Sequence, residues 1–454
     1  MLSTPTATVG KRVGFLELFF DLVFVFAVTQ LVGRLHDDHS ALGWARAGLV
    51  LWLVWWAWSQ YAWAGNAIDL ERRPIKVAVL AVTGAMLLAA TAIPVAFDDD
   101  GVWFAAPYTV VRLAGLGLYW HGLRGEPDHR AALRTYLPVA TLSPLLVLAG
   151  GIAGGGALLV CWSAAVVIDL VSVAAAGRGE FRVDPAHFAE RHGLIVIIAL
   201  GEAVIATGAT AAEVGLGPSV AALLVAGFAT VGGMWWCYFD WMHAASEHRL
   251  ASEPDARRRA HLARDLFTLG HLPIVAGIIV FAAAIEEALL HPADPLDAFA
   301  TVALAVGTAL YQAGFVIGNL RATGRLLVTR AVGLVVAVAW VLVAGPAGGG
   351  LLPLRVLALL PAGGAAGGRP RRGGGVARRR GQTLGITSSV TWWRYFQASS
   401  ARRPPTRGWR GRGRPERTSA TASSVVTIRW VRSSARSSST VVAVERLAVW
   451  VLPS

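Results

Sequence analysis

The sequence predicts an all-α, polytopic integral membrane bundle of about twelve transmembrane helices. Three observations lead there. Of the 454 residues, 55% are hydrophobic and only 15% charged, against roughly 25% charge in a soluble domain. Eleven runs have the ~20 mostly apolar residues that a spanning helix needs. Arginine-bearing and arginine-free loops alternate between those runs.

The runs lie near 13–33, 44–64, 76–97, 102–121, 135–153, 157–176, 187–210, 217–241, 268–290, 297–319 and 326–344. A twelfth, near 350–364, is interrupted by Pro353, Arg355 and Pro361. The first run holds Glu17 and Asp21, and no clean small-residue cleavage site follows it. It therefore reads as a retained helix and not as a signal peptide. The segments after the even-numbered runs carry arginines, among them Arg72, Arg124, Arg178, Arg249 and Arg321. The loops after runs three, five, seven, nine and eleven carry no Lys or Arg; Asp98, Glu213 and Asp294 stand there instead. Only the loop after the first run departs, with Arg34 and Arg46. The positive-inside bias then places both termini and the even-numbered loops in the cytoplasm.

An internal repeat is expected. Trp55-Trp56 is matched by Trp235-Trp236, Leu118-Tyr119 by Leu310-Tyr311, and Leu146 to Gly150 by Val341 to Gly345. Six helices per half gives a parallel repeat, an arrangement in which transporters place a site between the halves. The expected organisation is a membrane domain over 1–364, with repeats at about 13–176 and 187–364, and a tail over 365–454.

The net charge of +13 belongs to the C-terminal hundred residues. Residues 1–354 sum to −4, whereas 355–454 hold 19 arginines, two acids and no lysine. An Arg/Ser/Gly-rich arm of this kind suits RNA or anionic lipid. A frameshifted reading of a GC-rich gene explains the abrupt change better, so no function attaches to the tail and no nucleic-acid partner is expected.

Ionisable groups inside a bilayer cost roughly 2.5–3.5 kcal/mol each on insertion scales, which makes them functional candidates. Glu17 and Asp21 sit four apart, on one face of the first helix; they suit a shared proton, a cation or an arginine partner. Asp184-Pro185 reads as an N-cap with proline at the first helical position. The helix that follows carries His187, Glu190, Arg191 and Glu202. Arg191 and Glu202 lie eleven residues apart and so share a face, which makes Arg191 a candidate partner of Glu202 or an anion ligand. Glu202, near the expected midplane between Gly201 and Ala203, is the foremost coupling candidate. Asp240, His271 and Asp169 are further intramembrane polar groups, and solvation accounts for Glu286-Glu287 at the end of the ninth run. The tryptophans of the second run suit packing, with an aromatic cavity as the alternative. Cys161 and Cys237 lie in apolar runs without a CxxC or Cys/His pattern, and no HExxH occurs. No metal site and no cofactor are expected.

The run from Leu16 to Gln30, LELFFDLVFVFAVTQ, resembles the signature of the bacterial low-temperature-requirement A family. His187-Phe188-Ala189-Glu190-Arg191, Leu200-Gly201-Glu202, Trp235-Trp236 with Tyr238-Phe239-Asp240, His271-Leu272-Pro273 and Glu286 to Leu289 extend the resemblance, in order, over about 10–345. It implies a multi-pass bacterial inner-membrane protein linked by name to growth in the cold, and supplies no activity. The positions it carries over are Glu17, Asp21, His187, Glu190, Arg191, Glu202, Asp240 and His271, and a cluster built by helices one, seven and eight is expected. The leading expectation is a secondary transporter or proton-coupled membrane protein, with the lipid bilayer and a small solute or ion as partners. An intramembrane enzyme acting on a lipid or isoprenoid, with Glu17, Asp21 and His187 as acid/base groups or metal ligands, is the second reading. A non-catalytic envelope protein is the third.

Overall fold

A computed structural model describes residues 12–70, 72–98, 100–123, 127–176 and 183–344. They fold into helices with no strand among them: α1 (Phe15–Asp37), α2 (Ala41–Ala67), α3 (Arg73–Thr91), α4 (Val102–Leu123), α5 (Pro127–Ala153), α6 (Gly155–Ala176), α7 (Pro185–Val214), α8 (Pro218–Ala251), α9 (Ala256–Leu290), α10 (Ala298–Thr323) and α11 (Val328–Ala344). Eight of these are long and apolar enough to cross a membrane: α1, α3 and α5 to α10. The run at 350–364, the tail, Arg124, Arg178, Arg182 and Gly345 lie outside the described residues.

Local chemistry sets the boundaries. Ser40, Asp184, Asp255 and Asp297 cap α2, α7, α9 and α10 by accepting first-turn backbone N–H groups, and Pro185 and Pro218 occupy first helical positions. Gly215 and Gly324 end α7 and α10 with φ of 93° and 70°, a region that penalises a Cβ.

Helices α8 and α9 run longer than the apolar runs that announce them. Both continue through a π-helical turn, at Tyr238–Met242 in α8 and at Arg264–Leu269 in α9. In α9 the turn stops just before Pro273, which offers no N–H to the Leu269 carbonyl. His271 therefore lies well inside a helix and not at its start.

Helix α9 is apolar on all sides, as a central helix must be. Of its most apolar window, 83% is buried, and α1, α7, α8 and α10 all pack on it. The α9–α10 seam depends on absent side chains: a Cβ on Gly277 would stand 2.6 Å from the Gly307 oxygen, and one on Gly307 would stand 2.8 Å from the Phe281 nitrogen. Small residues allow such backbone approach where lipid supplies no hydrophobic drive between helices. Large apolar side chains cover the outside instead, including Val77, Leu88, Ile152, Val160, Val225 and Phe228.

Some packing pairs recur along the chain. Helix α1 packs on α2 and α3, as α7 does on α8 and α9, and α3 packs on α4, as α9 does on α10. The paired tryptophans do not share an environment, however. Trp55 and Trp56 are buried, whereas Trp235 and Trp236 are exposed.

Candidate functional site

The start of α1 holds the first half of the site. Gly14 precedes the helix, and Glu17 reaches back to accept the Gly14 backbone N–H at 3.0 Å. One turn on, Asp21 points the same way. Both acids face α7, where the Asp184 cap fixes the first turn and so sets the rotation of His187 and Arg191.

Four ionisable side chains meet there, none more than 4% exposed. Arg191 Nη2 donates to Asp21 Oδ1 at 2.9 Å, and Arg191 Nη1 lies 3.5 Å from Glu17 Oε1. His187 Nε2 lies 3.2 Å from Glu17 Oε2. Helix α2 closes the cluster. Trp58 Nε1 donates to Asp21 Oδ1 at 2.9 Å while its ring lies under the Arg191 guanidinium, 5.7 Å from centroid to Cζ. Gly65 passes so close that a Cβ there would come within 2.6 Å of Glu17 Oε1. Two carboxylates thus share one arginine.

Above this cluster stands a layer of rings. His192 Nδ1 donates to the Phe188 carbonyl at 2.9 Å, leaving a buried Nε2 without a hydrogen-bond partner. Its ring packs on Trp58, Phe188, Phe267 and His271. His271 Nδ1 bonds to the Leu266 carbonyl at 2.9 Å, so its Nε2 accepts from the Tyr238 hydroxyl at 2.7 Å. The two π turns put Tyr238 and His271 opposite each other.

Glu202 forms the second half. Three turns separate it from Arg191, about 16 Å along the helix, so a shared face does not bring them together. The arginine pairs with α1 instead, which corrects the expected Arg191–Glu202 partnership. Glu202 is 7% exposed and accepts from the Thr29 hydroxyl at 2.5 Å. Glu286 of α9 lies nearby, and its Oε1 is buried without a hydrogen-bond partner. Thr29 and Glu286 lie in the C-terminal parts of α1 and α9. Nor is the neighbouring Glu287 merely solvated: its side chain is 11% exposed and lies 3.1 Å from His36 Nδ1. Close packing around α9 reaches its last turns, which explains both departures from the solvated reading.

Two expected residues stay outside. Glu190 is exposed and accepts the Val13 N–H at 3.1 Å, and Asp240 is exposed. The cluster is therefore built by α1, α2 and α7, with α8 contributing Tyr238 to the ring layer in place of Asp240. One residue that sequence reading passed over is Arg112. It is fully buried, and it bonds to Asp169 Oδ1 at 3.0 Å and to the Tyr108 hydroxyl at 3.0 Å. An arginine inside an apolar run was the available signal.

A cavity of about 90 Å³ opens beside α2, lined by Trp56, Ser59, Gln60, Trp63, Tyr119 and Arg264 among others. Trp63 Nε1 donates to Thr268 Oγ1 at 2.9 Å, which ties α2 to the π turn of α9.

The chain matches the bacterial low temperature requirement A protein (LtrA) family over residues 12–366. It belongs to that family. The match takes in all of the residues just described. An uncharacterized protein of Rhizobium meliloti (strain 1021) is 32% identical over 294 residues, 62% of this chain and 70% of the relative. No solved structure matches. Membership and the apolar helices together make this an integral, multi-pass membrane protein of the LtrA type.

Proposed function

We propose that this protein is a proton-coupled secondary transporter of the bacterial inner membrane. The observation that carries the reading is the Thr29–Glu202–Glu286 group. Glu202, buried in a spanning helix and bonded to the Thr29 hydroxyl, is an ionisable group of the kind that marks a path for ions or protons. The Glu17–Asp21–His187–Arg191 cluster, about 16 Å away along α7, is the second buried group of ionisable side chains on this path.

In this reading the solute enters the aromatic cavity of α2, whose indole faces and Ser59–Gln60 polar edge suit a small molecule with a planar or apolar body. The membrane domain spans 1–364 as two six-helix repeats, with both termini in the cytoplasm. Support for growth at low temperature follows if the transported solute is needed in the cold.

Proton flux in proteoliposomes tests this. Purified protein, wild type or Glu202→Gln, is challenged with a panel of solutes under an imposed pH gradient. Solute-dependent proton flux that the substitution abolishes while the protein stays folded is the expected result. Wild-type vesicles that show none under any gradient, or flux unchanged by Glu202→Gln, overturn the proposal.

A further inference from the structure

Helix α1 ends in Arg34-Leu35-His36-Asp37, and the short connection to α2 carries Asp38, His39 and Ser40. Helix α9 brings Glu287 to the same place. The three residues His36, His39 and Glu287 each offer one ligand atom, and these atoms all lie within 4.8 Å of one another. None of the three belongs to the buried ionisable groups described above.

Several features mark this trio as more than a surface ion pair. His36 Nδ1 is buried and stands 3.1 Å from Glu287 Oε2, yet its geometry makes no hydrogen bond. A nitrogen without a hydrogen-bond partner beside a carboxylate oxygen is a pair of donors suited to a cation. The His39 ring is already held: it stacks on Phe299 with centroids 3.7 Å apart and planes 4° from parallel. The site also has an open side. A cavity of about 160 Å³ adjoins Glu287, with His291, Asp294 and Asp297 on its wall, so the entrance is rich in acids. The nearby cation Arg46 lies 4.0 Å from Asp38, and the Arg34 guanidinium bonds to the Pro94 carbonyl. Both guanidiniums lie over the Phe97 ring.

We propose that His36, His39 and Glu287 bind a divalent transition metal ion, Zn²⁺ in the first instance. Two imidazoles and one carboxylate form a donor set suited to zinc, with a fourth position left for water. Imidazole nitrogen selects against Mg²⁺ and Ca²⁺, which prefer all-oxygen shells. Ligand atoms around a tetrahedral zinc lie roughly 3.3 Å apart. The trio is somewhat wider, and closing it takes a shift of the exposed His39 side chain along its stack on Phe299. A bound ion would clamp the end of α1 to the end of α9. Those are the two helices that present Thr29 and Glu286 to Glu202, so the clamp would hold the wall of that group.

The test uses untagged, full-length protein in detergent micelles, stripped with a chelator and titrated with Zn²⁺ in a calorimeter, with bound metal counted after dialysis. Wild type is expected to take up one Zn²⁺ per chain, unaffected by excess Mg²⁺ or Ca²⁺. His39→Ala, which alters an exposed side chain and leaves the helices intact, should lose roughly tenfold or more in affinity, and Glu287→Gln should do the same. His121→Ala, at an exposed position of α4, should bind as wild type does. Folded wild type that takes up no Zn²⁺ overturns the proposal, leaving an ion pair of His36 and Glu287 only. Uptake undiminished in both His39→Ala and Glu287→Gln overturns it equally, by placing the metal elsewhere.

Discussion

Arg191 Nη2 lies 2.9 Å from Asp21 Oδ1, and both side chains are sealed from solvent. The two residues are 170 positions apart, so this contact joins α1 to α7 and depends on both helices being rotated correctly. A buried pair contributes little net stability over an apolar replacement, but a lone buried charge is costly. Arg191→Met leaves Asp21 and Glu17 without their cation and is expected to destabilise the protein by about 3–5 kcal/mol. Thermal unfolding in detergent checks this; an unchanged midpoint would show that the arginine is not the counter-charge.

Trp58 contributes both a hydrogen bond and a ring face to that pair. Trp58→Phe keeps a ring near Arg191 and removes the donor to Asp21. The expected loss is about 1.5–3 kcal/mol, the range for hydrogen bonds to charged groups. Trp58→Ala also opens a cavity and should cost more. Equal losses in the two variants would assign the whole effect to packing.

Arg112 and Asp169 form an independent buried pair between α4 and α6. Asp169→Leu and Arg112→Met are each expected to destabilise, while the double replacement should cost less than their sum. A coupling of about 0.5–3 kcal/mol is the usual range for residues in contact. Additive unfolding energies would mean that the pair is not formed.

The α9–α10 seam leaves no room for a side chain at Gly277. Gly277→Leu is expected to prevent the two helices from meeting, read as loss of the monodisperse folded species in size-exclusion chromatography. Gly84 of α3 has nothing within 4 Å of its missing Cβ. Gly84→Ala should therefore be tolerated, and should gain up to about 1 kcal/mol from helix propensity. Failure of both variants alike would point away from the seam.

Thr29 is the hydrogen-bond donor to Glu202. Thr29→Val removes the hydroxyl at nearly constant shape, whereas Thr29→Ser keeps it. If Glu202 carries the coupled proton, the valine variant should shift the pH dependence of transport and the serine variant should not. Identical pH profiles in all three proteins would detach Thr29 from the coupling step.

Much of this architecture is written locally. Run length and the absence of charge mark the helices because a helix in lipid must be apolar over its whole lipid-facing length. The Asp184 cap and the first-turn prolines act within one helical turn, so they are readable where they stand. The short list of intramembrane acids and bases is equally local, since each carries its own desolvation cost, and Glu17, Asp21, His187, Arg191, Glu202 and His271 all prove to be buried. Only the tertiary structure decides which of them meet. Arg191 and Glu202 share a helix face yet lie three turns apart, so the arginine goes to α1 and the glutamate to Thr29 and Glu286. Asp240 shares a motif with Tyr238, but helix rotation turns the tyrosine inward and the acid outward. Arg112 finds Asp169, and His36 and His39 find Glu287, across dozens to hundreds of residues. Pairing of this kind is set by how closely helices approach and how each is turned, through contacts such as the Gly277–Gly307 seam, and a periodic apolar run leaves that rotation open.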